Sequence, residues 1–149
     1  MPASALTSVL TLYFDGRCPF CVHSMGRLRD WNAAAKAGRL AFVDIAVPGF
    51  DPAPLGVTLD ALNRELHART ADGKLLVGID SMVAAYTLAG QGWRVLPLRI
   101  RPLRPLLSAL YRRFARDRYR VSRLLGLRLP PACDGATCAV GRQFIESKE

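Results

Sequence analysis

The chain has 149 residues and a mass of 16.3 kDa, half of its residues hydrophobic and 22% charged, with a formal net charge of +9. That length buries a real core in one domain with an extension, and that composition excludes an intrinsically disordered chain. Four cysteines are too few for a small secreted disulfide scaffold, and no stretch approaches the roughly 18 uninterrupted apolar residues of a membrane span.

Residues 1 to 8 read as a lead-in, and the absence of Lys and Arg from residues 1 to 14 argues against a secretion signal. Val9 to Phe14 is apolar on both faces, which predicts a buried central strand. Asp15-Gly16-Arg17-Cys18-Pro19-Phe20-Cys21 follows, at the junction with a helix. Cys18 falls at or beside the helix N-cap, where unpaired N–H groups and the helix dipole favour a thiolate. Pro19 suits the first helical position because it has no N–H to lose. Cys21 lies one turn on, close enough to Cys18 to close a small disulfide ring.

The helix is expected to run to Ala37 with Val22, Met25, Leu28 and Trp31 in one stripe, ending at Gly38. Leu40 to Ile45 reads as a second strand, which makes a right-handed βαβ unit with parallel strands. After a loop rich in Pro and Gly, Val47 to Val57, Thr58 can cap a short helix over Leu59–Leu66 with Asp60 in its first turn. His67–Thr70 and Lys74–Val77 flank Ala71-Asp72-Gly73, a hairpin signal. A helix from Met82 to Ala89, capped by Asp80 or Ser81 and stopped by Gly90, completes the order β-α-β-α-β-β-α. The fold class expected is α/β, a mixed four-stranded sheet with helices on both faces and a C-terminal basic helical extension.

From Gly92 the character changes. Pro97, Pro102 and Pro105 forbid a continuous helix, and a long amphipathic pattern then runs to Leu125, with Leu107, Leu110, Phe114, Val121 and Leu124 on one face. Every ionisable residue between Arg94 and Arg128 is Arg except Asp117 and the tyrosines, so the basicity belongs to the last third of the chain. The expected division is a core over residues 1–92 and a Pro/Arg-rich helical extension over 93–149 that packs on it and carries a cysteine-containing tail. Packing on the domain is the favoured arrangement of the amphipathic helix, and lying in an anionic membrane interface is the alternative.

The placement of Cys18 and Cys21 after the first strand resembles the thioredoxin-like fold. Asp15, Cys18 and Cys21 together are similar to the Asp-x-x-Cys-x-x-Cys signature of the DCC family of thiol-disulfide oxidoreductases. Leu66-His67, Asp72-Gly73, Gly78-x-Asp80-Ser81, Trp93, and Tyr111, Ala115, Arg118 and Tyr119 extend the resemblance over about Leu10 to Leu125. It implies a thioredoxin-like thiol redox protein. Better-known thioredoxin relatives carry a cis-proline before the hairpin; here the approach reads Arg64-Glu65-Leu66-His67-Ala68, and His67 or a neighbour would face the cysteines.

The expected mechanism has Cys18, nearer solvent, attacking a protein or small-molecule disulfide and Cys21 resolving the mixed disulfide, with no cofactor beyond the redox-active disulfide. Arg17 adds a positive charge. Asp15 is either a general base for Cys21 or an Asx-type turn residue, and His67 is either a site residue or a polar strand end. Cys133 and Cys138 form a second pair that reads as a local disulfide, a second redox station, or half of a four-cysteine zinc site with the first pair. Two other classes stay open: a non-catalytic thioredoxin-like binding module docking through its Arg-rich helix to an anionic membrane or acidic partner, and a zinc protein. No specific nucleic acid is expected, and the expected location is cytoplasmic, with peripheral contact to a membrane left open.

Overall fold

The computed structural model describes residues 10–34 and 39–128. Four strands, β1 (Leu10–Phe14), β2 (Leu40–Asp44), β3 (His67–Thr70) and β4 (Leu75–Val77), form one mixed sheet in the order β2-β1-β3-β4. β1 runs parallel to β2 with Leu12 opposite Phe42, and antiparallel to β3 with Leu12 opposite Ala68. β3 and β4 form the expected hairpin, closed by Gly73 at a φ of 91° that suits glycine. The helices are α1 (Pro19–Ala34), α2 (Leu59–Arg64), α3 (Ile79–Leu88), α4 (Leu96–Arg99) and α5 (Arg104–Leu124). The arrangement agrees with a thioredoxin-like fold followed by a long C-terminal helix.

Burial alternates along β1 and β2. Leu10, Leu12, Phe14, Leu40 and Phe42 join Val22, Met25 and Leu28 of α1 and Ala85 of α3 in the core. α1 and α3 touch each other and share this face. The opposite face is half-buried, with Phe50 from the long loop packing on Tyr13 at 6.4 Å between ring centroids. β1 is central, as expected, but only one of its faces is fully dry.

Two boundaries differ from expectation for local reasons. α2 is capped by the Thr58 hydroxyl, which accepts from the Ala61 N–H at 3.1 Å, but it stops at Arg64 because Glu65 turns to extended backbone that leads into β3. α3 begins at Ile79, earlier than Met82, after Gly78 at a φ of 62°. Neither Asp80 nor Ser81 caps it: Asp80 pairs with Arg104, and the Ser81 hydroxyl donates to the Leu66 carbonyl at 3.2 Å. Tertiary partners have taken both side chains.

The prolines act as expected, dividing residues 92–103 into 3₁₀ turns and the single turn of α4 before α5 begins. α5 packs on α1 and α2. Its inward stripe is Leu107, Tyr111, Phe114, Ala115, Arg118 and Ser122, at helical spacing, while Leu110 and Leu124 are 55% and 87% exposed. The buried face is therefore rotated from the one read off the leucines, and it contains an arginine. The expected end of α1 at Gly38 and the Cys133/Cys138 pair lie outside the described residues.

Candidate active site

The junction between β1 and α1 is built by backbone chemistry. Asp15 Oδ1 accepts the Arg17 N–H at 2.9 Å in an Asx-type turn, and the Asp15 carbonyl accepts the Cys18 N–H at 3.1 Å. Cys18 precedes the first helical residue, Pro19, and its carbonyl accepts the Val22 N–H at 3.0 Å, the first bond of the helix. Gly16 is required by a close approach. Its N–H donates to Asp44 Oδ1 at 2.8 Å, and a Cβ there would overlap the Asp44 carboxylate. The buried Asp44 also accepts the Ala46 N–H, so one carboxylate at the end of β2 ties the thiol loop to the sheet. Nothing in the sequence singles Asp44 out except its place at a strand end.

Both thiols are free, and the Cys21 N–H donates to Cys18 Sγ at 3.4 Å. Hydrogen bonding from the Cys21 side chain, then from its backbone, and the Arg118 charge outweigh burial and hold the Cys18 pKa down to about 6. Cys21 moves the opposite way. Its hydrogen bond to the Cys18 sulfur, its burial and the neighbouring negative charge push it well above the ordinary thiol range. The pair is thus one thiolate and one thiol.

Exposure runs against expectation. Cys18 has no accessible surface and Cys21 is half-buried, although Cys18 was expected nearer solvent. The end of α5 lies against the start of α1 beside the pair. The Phe20 N–H donates to Ser122 Oγ at 3.1 Å, the Phe20 and Phe114 rings meet edge-to-face at 4.8 Å, and His23 Nε2 lies 3.2 Å from the Arg128 carbonyl oxygen.

The cation that acts on the thiols also comes from α5. Arg17 is exposed, whereas Arg118 is buried against Asp15, its guanidinium donating to Asp15 Oδ2 at 3.0 Å with side-chain exposures of 12% and 7%. Arg118 also donates to the Asn63 carbonyl, and the Tyr119 hydroxyl donates to the same Asp15 oxygen. Burial, then the hydrogen bond to Asp15, pushes the Tyr119 hydroxyl up to about 12. Asp15 therefore anchors α5, and no hydrogen bond joins it to either thiol. The basicity of the last third of the chain is not separate from the thiol site, because one arginine of that segment is folded into it. The sequence marks Arg118 only through the family-like spacing of Tyr111, Ala115, Arg118 and Tyr119, which attaches no role to it.

His67 is buried, with Nδ1 2.8 Å from the Glu65 carbonyl oxygen, and lies in a groove with Arg118 and Tyr119 rather than beside the cysteines. Glu65 and Leu66 are the neighbours that share a cavity of about 160 Å³ with Cys21, Phe14, Phe20, Tyr111 and Arg118. In place of a cis-proline, Leu66 donates its N–H to the Tyr111 hydroxyl at 2.8 Å, and its carbonyl accepts from Gly78 and Ser81. Burial pushes the Tyr111 hydroxyl up to about 12. A four-cysteine zinc site needs Cys133 and Cys138, which lie outside the described residues. Among the described residues no helix is long and apolar enough to cross a membrane.

Comparison with known proteins agrees with this geometry. An uncharacterized, chloroplastic protein of Arabidopsis thaliana is 26% identical over 114 residues, which are 76% of this chain and 52% of that protein, so the chain spans about half the length of that relative. No solved structure matches. The sequence profile of the DCC1-like thiol-disulfide oxidoreductases matches residues 12–124, the span that carries Cys18 and Cys21, the sheet and the arginine of α5 that reaches them, and the chain belongs to that family.

Proposed function

We propose that the protein is a disulfide oxidoreductase of the thioredoxin or glutaredoxin type, acting on a protein or small-molecule disulfide in a reducing compartment such as the cytoplasm. The observation that carries this reading is the divided pair: a Cys18 sulfur that receives the Cys21 N–H at the mouth of α1, held near a pKa of 6, beside a protonated Cys21. The Cys18 thiolate attacks one sulfur of the substrate disulfide, forming a mixed disulfide as the substrate S–S bond breaks and the leaving thiolate takes a proton from solvent. Cys21 then attacks Cys18 Sγ. The second substrate sulfur leaves and takes the Cys21 proton, and two electrons have passed from the cysteine pair to the substrate. No metal or organic cofactor takes part.

Asp15 serves this scheme by positioning Arg118, whose charge favours the thiolate. The cavity beside Cys21 offers room for an apolar group of the substrate, since about 150 Å³ suffices for benzene. The test is a redox titration with a model disulfide, together with trapping of mixed disulfides on Cys21→Ser. A reversible two-electron couple that Cys18→Ser abolishes, and adducts on Cys18 alone, are expected; adducts on Cys21 in Cys18→Ser at equal rate would reverse the assignment.

The complete burial of Cys18 favours a second reading, a thioredoxin-like binding module whose cysteines only pack. The absence of any reversible couple in the same titration would select it.

A further inference from the structure

Nine of the eleven large hydrophobic side chains that are exposed among the described residues fall between Trp93 and Leu125. Six of them, Trp93, Leu96, Ile100, Leu103, Leu106 and Leu110, are 40% to 63% exposed and follow one another across the turns, α4 and the start of α5. This is the part of the chain that the prolines break into short pieces, and from Trp93 to Leu110 only Val95 is buried. Leu106 and Leu110, one turn apart, share the flank of α5 next to its buried stripe. Single exposed leucines are ordinary, but a run of six is a surface for something.

Charge narrows what that something is. Residues 93–128 hold eleven arginines against one aspartate, more positive charge than the whole chain shows in balance. Arg104 pairs with Asp80 and Arg94 stacks over Trp31 and Trp93 at 5.0 and 4.6 Å. Arg99, Arg101, Arg112 and Arg113 form no ion pair with a described residue and alternate with the exposed leucines. A nucleic acid would neutralise the arginines but leave the leucines and Trp93 wet. An acidic soluble partner with a matching apolar strip would fit, but an anionic bilayer satisfies both demands with no shape match: leucines and tryptophan at the acyl boundary, guanidinium groups among the phosphates.

We infer that the surface formed by Trp93, α4 and the first turns of α5 docks the protein flat on an anionic membrane, without spanning it. The docking face is separate from the thiol pair, so it stands whether or not the chain exchanges disulfides.

The test is co-sedimentation of the full chain with vesicles of phosphatidylcholine alone or mixed with phosphatidylglycerol, read with tryptophan emission. Binding to the mixed vesicles only, weakened by salt, is expected, with a blue shift that Trp93→Phe removes. Leu106→Ser and Leu110→Ser each weaken binding about tenfold, the loss of a partly buried leucine. Arg112→Gln and Arg113→Gln each weaken it about fivefold, near 1 kcal/mol per charge. The circular dichroism and disulfide exchange of these variants stay unchanged, which separates lost docking from lost folding. The inference is overturned by equal binding to pure phosphatidylcholine, by vesicle binding that the leucine variants retain, by no vesicle binding at all, or by a dimer in solution that Leu106→Ser and Leu110→Ser dissolve.

Discussion

At neutral pH a thiol that ionises near 9.0 is almost wholly protonated, whereas one held near 6 is almost wholly anionic, and Cys18 is the second kind. The causes assign the outcome of each substitution. Cys21→Ala removes the largest of them, the side-chain hydrogen bond, so the midpoint of the pH dependence of Cys18 alkylation should climb from about 6 toward 9. Arg118→Gln should raise it by less, while Arg118→Lys keeps most of the effect; equal midpoints in all three proteins would remove Arg118 from the scheme. Arg118→Gln also strands the buried Asp15 carboxylate, which keeps the Tyr119 hydroxyl and the Arg17 N–H as partners. A loss of about 3 kcal/mol in urea denaturation is expected, the lower end for a broken buried pair. Gly16→Ala drives a methyl group into the Asp44 carboxylate and should cost about 1–3 kcal/mol, seen as a fall in Tm.

Among the elements, α5 decides how the site is reached. Its inward stripe closes the cavity with Tyr111 and Phe114, supplies Arg118, and lays Ser122 on the first turn of α1. Since Cys18 has no exposed surface, exchange at its sulfur would require its cover to open, and the contacts between the end of α5 and the start of α1 are the ones expected to give. Ser122→Ala leaves the Phe20 N–H without its acceptor and removes the hydroxyl's own bond to the Arg118 carbonyl, a cost of about 1–2 kcal/mol. Phe114→Ala removes the edge-to-face ring pair and should cost up to about 3 kcal/mol. Both variants should therefore alkylate Cys18 faster than the wild type at pH 7, with an unchanged midpoint. Unchanged or slower alkylation would mean that the end of α5 does not control access to Cys18.

For the molecule as a whole, the divided pair makes stability depend on pH in one redox state only. The folded pKa of Cys18 lies below its unfolded value, so this contribution is fully present above about pH 9 and is lost as the pH falls through 6. Cys21 has the opposite sign: raised in the folded state, it keeps its proton when the unfolded chain releases one, so stability is lost above about pH 9. Reduced protein should thus gain stability from pH 6 to 9, at no more than about 1.4 kcal/mol per pH unit, and decline beyond. The protein with Cys18 and Cys21 joined in a disulfide has neither of these two thiols to titrate and should lack this rise. Denaturant titrations of both forms across that range check it, and a parallel rise in the two forms would refer the dependence to other groups.

The strands, the hairpin, α1 and the thiol pair at its mouth were legible because each is a local matter: apolar runs, an Asp-Gly turn, a proline after a capping cysteine. The Asx turn at Asp15 belongs here too, since it needs only the next two residues. What the chain order could not reveal is which surface α5 turns inward, because leucine spacing describes a helix by itself while burial depends on what the helix meets. Arg118 lies 103 residues from Asp15, and only folding brings the two charges into a dry contact worth making. Sequence alone determined that two thiols stand at a helix start, where the dipole favours an anion; the tertiary structure decided which cation lies beside them, which carboxylate anchors that cation, and that the Cys18 sulfur is the more deeply enclosed of the two.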